Sequence, residues 1–381
     1  MLRIDGHTFS PLPKSILHKS TAGQNMTGPF PSELSKLTLL QSIGFGYNQL
    51  TGTIPRSISR LKQLAGFAVE YNLLSGDLPT DLYVPRMQTI SLGDNMLDGR
   101  IPEERLEEMP LLRTLSLPSN FITGTIPSQI GMLSSLTFLR LDENGITGTL
   151  PSEIGQLSKL RLLWIDGISL STTIPSEIGN LRASLWFWFA QGAGLKGTIP
   201  DSFYELTMLQ RALLNENELE GTISSKVSQL RNLRVLDLHK NNMIGTIPSE
   251  IGNEDNPPIR LTFSGNHFEG MSRNLSAFFA CLIRRYPSTS HHHKSDLSIH
   301  DQCLVGSVPE ELCAVDDLWA DCLVPAPVEA ESKNFGGGDG VMMVPFASNA
   351  CECCTRCCEA ETDICEEMLQ SRPCIRGGNC R

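Results

Sequence analysis

The stretch that decides the fold is LTFLRLDENGITGTLPSEIGQLSKL, residues 136–160. Leu139 and Leu141 lie two residues apart, which is the spacing of a short β-strand that buries one face. Gly148 and Pro151 then indicate a tight turn that ends the strand region. One such unit cannot bury its own apolar side, so the pattern predicts a stack of similar units that share a core.

The same unit recurs along most of the 381-residue chain, mostly at intervals of 23–25 residues. Each copy contains the phrase GxIP or a close variant, whose first residue we call the anchor. The anchors are Gly28, Gly52, Gly76, Gly99, Gly124, Gly148, Thr172, Gly197, Gly221, Gly245, Gly270 and Gly306. Only the last step, of 36 residues, departs from the interval. We therefore predict an α/β solenoid in which every repeat adds one strand to a parallel sheet.

An asparagine stands four residues before most anchors, where the chain leaves the predicted strand. These residues are Asn48, Asn72, Asn95, Asn120, Asn144, Asn217, Asn241 and Asn266. Because an amide side chain both donates and accepts, we expect it to pair with backbone groups of neighbouring turns. Ile168 and Ala193 interrupt this ladder, and the second of these repeats has Trp188 at a leucine core position. The small residues Ala190 and Ala193 offset the volume of the tryptophan, which indicates compensated packing.

The consensus LxxLxLxxNxLxGxIPxxIGxLxxL resembles the plant-type leucine-rich repeats of receptor-like kinase ectodomains, receptor-like proteins and polygalacturonase inhibitors. The resemblance covers about residues 24–322. It implies a right-handed superhelix with a parallel β-sheet on its concave face, and it implies binding rather than catalysis. The segment CECCTRCC at 351–358 is instead similar to the cysteine-rich C-termini of repeat proteins from algal lineages such as diatoms.

The repeat frame and the composition together predict six segments. They are a partial or divergent N-terminal segment (1–27), the repeats (28–271), an insertion (272–296), a last repeat with a C-terminal cap (297–322), a linker (323–350) and a small cysteine-rich tail (351–381). The first residues contain no apolar core of a signal peptide, and they lack the cysteines of the N-terminal cap that the resemblance implies. We therefore expect an incomplete N-terminus.

The candidate ligand-binding residues flank the core positions of four consecutive predicted strands. The side chains eight residues before each anchor are small in the early repeats and large in the next four. Further bulky residues lie two positions earlier, and acidic residues lie two positions later in two of these repeats. The predicted set is Phe138, Arg140, Asp142, Leu162, Trp164, Asp166, Phe187, Phe189, Arg211 and Leu213. Aromatic and arginine side chains dominate many binding interfaces. The alternative is that these side chains only pack on one another to fill a concave groove.

Twelve cysteines, eight of them within the last 31 residues, indicate an oxidising compartment. We expect one disulfide between Cys313 and Cys322 in the terminal cap and another between Cys281 and Cys303 at the base of the insertion. The tail cysteines form disulfides or bind zinc, since Cys354 and Cys357 have CxxC spacing.

Two further motifs are a pair of glycosylation sequons and a run of histidines. Asn25 and Asn274 head N-glycosylation sequons, which count only if the chain is secreted. The histidine run at 291–293 lies in the insertion and is typical of a solvated loop rather than a metal site, because structural metal ligands are spaced apart. We expect no metal.

The remaining features restrict the class of function. The formal net charge of −11 argues against nucleic acid as a partner. The sequence contains no run of 18 apolar residues, so we predict no membrane span in it. No catalytic residue set and no kinase motif is present, so we expect neither enzymatic activity nor a cofactor.

The predicted function is recognition of a protein, peptide or glycan by a secreted or cell-surface module of receptor-like type, in signalling or defence. The alternatives are an intracellular, cytoplasmic scaffold whose tail binds zinc, and a glycanase inhibitor, which rests on fold analogy. The sequence does not fix the oligomeric state.

Overall fold

The computed structural model describes residues 22–251 and 260–271, together with the backbone of seven short strands outside these ranges. The chain divides into two compact units. Met1–Glu220 with Gln229–Asn241 forms the first unit, and Gly221–Ser228 with Asn242–Arg381 forms the second.

The first sheet of the first unit contains one three-residue strand from each repeat, and all of its strands are parallel. Its strands are His18–Ser20, Ser42–Gly44, Gly66–Ala68, Thr89–Ser91, Thr114–Ser116, Phe138–Arg140, Leu162–Trp164, Phe187–Phe189, Arg211–Leu213 and Val235–Asp237. From Ser42–Gly44 onward the central residue of each strand is buried, whereas the residue before it is partly or fully exposed. The prediction of one parallel strand per repeat is confirmed, and from Ser42–Gly44 onward the central residue of each strand is an apolar core residue. We call the side opposite the core the open face.

A second series of short parallel strands lies around the anchors, and the sequence did not predict it. In the first unit these strands form three groups: Thr27–Pro29, Gln49–Gly52, Leu73–Asp77 and Met96–Asp98; Thr123–Thr125, Gly145–Gly148 and Ser169–Leu170; and Thr172–Thr173, Leu195–Thr198 and Glu218–Gly221. The anchor glycine allows the strands to approach, as Gly148 shows. Its φ is +86°, and a Cβ there would lie 2.8 Å from Cγ2 of Thr125.

The segments after the prolines return the chain to the next strand as short 3-10 helices. They are Ser32–Lys36, Arg56–Arg60, Thr80–Leu82, Ser128–Met132, Ser152–Gln156, Ser176–Leu181, Asp201–Glu205, Ser225–Gln229 and Ser249–Ile251, with one α-helix at Glu103–Leu106. Their apolar residues complete the core: Ile154, Leu157 and Leu160 are fully buried.

The predicted asparagine ladder is present. Oδ1 of Asn144 accepts from the backbone N–H of Ile122 at 3.0 Å. Its Nδ2 donates to the carbonyl of Leu117 at 2.9 Å, and to Leu141 and Asp142 at 3.1 Å each. Each asparagine of this kind satisfies buried backbone groups of two successive repeats, which fixes the register of the stack.

The second unit contains two groups of parallel strands. Asn242–Ile247 pairs with His267–Met271. Arg260–Thr262 pairs with Leu297–Ile299, which pairs in turn with Leu318–Ala320. Antiparallel hairpins complete the assigned strands: Cys374–Ile375 with Asn379–Cys380 in this unit, and Leu2–Ile4 with His7–Phe9 in the first.

Candidate ligand-binding face

Strand register aligns the predicted binding residues in two columns on the open face. Phe138, Leu162, Phe187 and Arg211 face one another across adjacent strands, and so do Arg140, Trp164, Phe189 and Leu213. Adjacent parallel strands lie about 4.8 Å apart, so neighbouring side chains in each column are within contact distance.

Trp164 is at the centre of this arrangement and is partly buried. The guanidinium carbon of Arg140 lies 3.9 Å from the centroid of its ring, which is a cation–π contact. Phe189 meets Trp164 at a centroid distance of 5.1 Å and an interplanar angle of 86°. Phe187 lies 6.2 Å from Phe189. We call Trp164, Phe187 and Phe189 the aromatic centre.

The carboxylate of Asp142 is held by Arg140 in a two-point contact. Nε of Arg140 donates to Oδ1 at 3.2 Å and Nη2 donates to Oδ2 at 3.0 Å. The side chain of Asp142 is only 7% exposed, against 33% for Arg140. Asp142 is therefore placed to orient Arg140 rather than to meet a ligand directly.

Asp166 orients Trp164 in a similar way. Its Oδ2 accepts from Nε1 of Trp164 at 2.6 Å, and its Oδ1 accepts from the backbone N–H of Gln191 at 2.7 Å. Burial raises the pKa of Asp166 above its ordinary value, and the two hydrogen bonds oppose that shift. The indole ring is thus fixed by a hydrogen bond on its edge and by a cation on one face.

A polar cluster that the sequence did not predict adjoins the aromatic centre. Oε1 of Glu216 accepts from Nζ of Lys240 at 2.7 Å, and Oε2 accepts from Nε2 of Gln191 at 3.3 Å. Nδ1 of His239 lies 2.6 Å from Oδ1 of Asp237. These residues lie five to eight positions before the anchors of three successive repeats. That alignment of positions could have indicated the cluster from sequence.

Exposure distinguishes the remaining predicted residues. Phe138 is 40% exposed. Leu162 and Leu213 are half-buried. Arg211 is exposed, and its guanidinium has no ion-pair or hydrogen-bond partner among the described residues. The bulky side chains therefore contact one another, as the groove-filling alternative requires, and also keep exposed area, as a binding surface requires.

The break in the asparagine ladder falls in the same two repeats that supply the aromatic centre. With Ala193 in place of asparagine, the backbone N–H of Leu170 donates to the backbone carbonyl of Ala193 at 2.9 Å. In the repeats that keep the asparagine, its Oδ1 accepts the equivalent bond, as Asn144 does from Ile122. Trp188 fills the core beneath, fully buried and 5.9 Å from the ring of Phe203. Ala190 and Ala193 are fully buried as well, and their compensation of the tryptophan volume stays a prediction.

Of the other predicted sites, only Asn25 lies within the described residues. Asn25 is exposed, with a φ of 50°. The cysteine pairs, Asn274, the histidine run and the side chains of the cysteine-rich tail lie outside the described residues. Within the described ranges, no helix has the length and apolar character that crossing a bilayer needs.

The repeats also match a known family. A family model for the Leucine Rich Repeat matches residues 135–157 and 232–253. The chain has the leucine-rich-repeat solenoid fold. No curated protein sequence matches it.

Several solved leucine-rich-repeat structures are similar to this chain. They include the plant peptide hormone receptor RGFR1 in complex with RGF2, at 33% identity and a TM-score of 0.69 over 77% of this chain and 45% of that one. A TDR receptor matches at 28% identity and a TM-score of 0.70, covering 82% and 51%. The Arabidopsis receptor kinase HAESA, in complex with the peptide hormone IDA and the co-receptor SERK1, matches at 30% identity and a TM-score of 0.65, covering 78% and 51%. This leucine-rich-repeat chain thus spans about half the length of these solved receptor chains.

Proposed function

We propose that the open face of the first sheet is a non-catalytic recognition surface that binds a peptide or protein segment at the aromatic centre. The observation that carries this proposal is the preorganisation of Trp164. Its ring is held by Arg140 on one face, by Asp166 at Nε1 and by Phe189 at its edge, yet it remains partly exposed.

Rigid aromatic side chains bind with little loss of conformational entropy, because their orientation is already fixed before the ligand arrives. Interfaces concentrate their binding energy in a few such residues near the centre of the contact. Leu162 and Leu213, half-buried on either side, extend the apolar area around the rings. The side chains of the aromatic centre are therefore suited to a large apolar ligand side chain.

The comparisons support a peptide as the ligand class. RGFR1 and HAESA were solved in complex with the peptide hormones RGF2 and IDA, and both are similar to this chain over more than three quarters of its length. We propose the same class of ligand here, with a protein segment or a glycan as the other forms that an aromatic surface accommodates.

We propose an extracytosolic, receptor-like setting for this recognition. A solved receptor-kinase ectodomain similar to this chain supports it, and the exposed Asn25 is accessible for glycosylation. The intact mass of the non-reduced protein from a secretory host tests this setting. A mass deficit near twelve hydrogens, with added glycan, supports it, whereas free thiols with bound zinc favour the intracellular scaffold.

The binding proposal is tested with a bead library of random heptapeptide amides, screened with the labelled full-length chain. The wild type is compared with the double variant Trp164→Ala/Phe189→Ala. The matched control is Phe121→Ala, which removes an aromatic ring that is 63% exposed and lies outside the first sheet. Thermal unfolding of each variant confirms that it is folded.

We expect peptides that bind the wild type and Phe121→Ala but not the double variant. If no peptide distinguishes the wild type from the folded double variant, the aromatic centre is not the recognition surface.

A further inference from the structure

Among the eight residues that define the two columns, Arg211 is the charged residue whose side chain has no partner in the described part of the chain. It is exposed, and no partner satisfies its guanidinium among the described residues. In its column it lies between Phe187 on one strand and Val235 on the next. An isolated cation therefore stands within an otherwise apolar stretch of the surface.

Three carboxylates near the aromatic centre are already paired. Arg140 and Asp142 satisfy each other, and Asp166 accepts two hydrogen bonds. Glu216 is occupied by Lys240 and Gln191. These three carboxylates thus have their acceptor atoms engaged, and they do not offer a strong site for a basic ligand group.

We propose that the ligand presents an acidic side chain, aspartate or glutamate, to Arg211, close to the apolar side chain that contacts the aromatic centre. This inference rests on the proposed function and specifies the chemistry of its ligand. A guanidinium carries donors in a planar fork that matches a carboxylate with two parallel hydrogen bonds.

The surroundings of Arg211 strengthen this pairing. Phe187 and Val235 have no polar group to compete for the guanidinium, and a ligand bound over them excludes water from the contact. An ion pair in such a shielded place is stronger than one on an open surface. The open face therefore selects for an acidic residue through one arginine, while the aromatic centre supplies the apolar contact.

The test screens the same heptapeptide amide library with the wild type, Arg211→Gln and Arg211→Glu. Because the peptides are amides, any carboxylate in a bound sequence belongs to an aspartate or a glutamate. The matched control is Arg113→Gln, at an exposed arginine outside both columns whose guanidinium also has no partner among the described residues.

We expect wild-type binders to be enriched in acidic residues near an aromatic or aliphatic residue. Arg211→Gln lowers the affinity for the best of these peptides at least about tenfold, as the loss of a charge-assisted pair implies. Arg211→Glu shifts the enrichment to lysine and arginine, and Arg113→Gln leaves the selection unchanged.

The inference and the proposed function fail in different ways. Peptides that depend on Trp164 and Phe189 but show no acidic preference, and that bind Arg211→Glu equally well, overturn the inference and leave the proposed function standing. Peptides whose binding ignores Trp164 and Phe189 overturn the proposed function itself.

Discussion

Replacing Gly194 with alanine is expected to destabilise the first unit by about 2–5 kcal/mol. Gly194 has a φ of +75°, and a Cβ at this position would overlap the carbonyl oxygen of Leu170 and lie 3.0 Å from its carbonyl carbon. The close approach occurs beside Ala193, which stands where most repeats have asparagine. Its backbone carbonyl accepts the Leu170 N–H at 2.9 Å, a bond that an alanine at 194 would force apart.

Two terms make up the expected cost. A left-handed backbone conformation costs an alanine about 1–2 kcal/mol relative to glycine. Leaving the buried N–H of Leu170 unsatisfied adds about 1–3 kcal/mol. Gly192, two residues earlier, isolates the second term. Its φ is +57°, and the nearest atom to an added Cβ, the carbonyl oxygen of Glu216, is 3.9 Å away.

Urea unfolding of the wild type, Gly194→Ala and Gly192→Ala measures the difference. Gly192→Ala is expected to shift the midpoint modestly, and Gly194→Ala is expected to shift it further, by at least about 1 kcal/mol, with an unchanged slope. Equal destabilisation by the two variants would refute the idea that the backbone replaces the missing asparagine here.

Three further outcomes are expected. In urea unfolding, Asn144→Ala should cost about 2–4 kcal/mol of stability, because four buried backbone groups lose a partner. The control Asn232→Ala, at an exposed residue that loses one bond, should cost under about 0.5 kcal/mol. Similar losses for the two variants would contradict the stabilising role of the asparagine ladder. Burial raises the pKa of Asp166 above 3.8 in the folded state. The stability of the wild type relative to Asp166→Asn should therefore be greatest below pH 3.8 and should fall as the pH rises through the folded-state pKa. An increase in this relative stability over the same pH window would contradict the argument. Nε1 of Trp188 has no hydrogen-bond partner among the described residues, so Trp188→Phe should leave no new unpaired group. This variant should lower the free energy of unfolding by under about 2 kcal/mol, against about 3–5 kcal/mol for Trp188→Ala. Equal losses would show that the indole N–H is satisfied.

The repeat frame was predictable because it is local. Leucine and asparagine recur at fixed distances from the anchor, so Leu139 in the core and Asn144 in the ladder follow from one repeat and its copies. The second series of strands was missed, although alternation around the anchor, as in Thr123 and Thr125, carries the period of a strand. Its pairing depends on the close approach that each anchor glycine permits, which spacing alone does not reveal.

The candidate site was predictable in position but not in detail. Counting eight and ten residues back from the anchors placed Trp164 and Arg211 in the correct columns. The pairing of Arg140 with Asp142 was within reach, since residues two apart on a strand share a face. The bond between Glu216 and Lys240 crosses repeats, and it depends on side-chain rotamers that the sequence does not fix.

The most direct test of the aromatic centre is the dissociation constant of one selected peptide, measured by titration calorimetry. The wild type and Phe121→Ala are expected to bind this peptide equally, and Trp164→Ala/Phe189→Ala is expected to bind it at least about 100-fold more weakly, as the loss of two central aromatic residues implies. Binding by the folded double variant within about threefold of the wild type would contradict the assignment of the open face as the recognition surface.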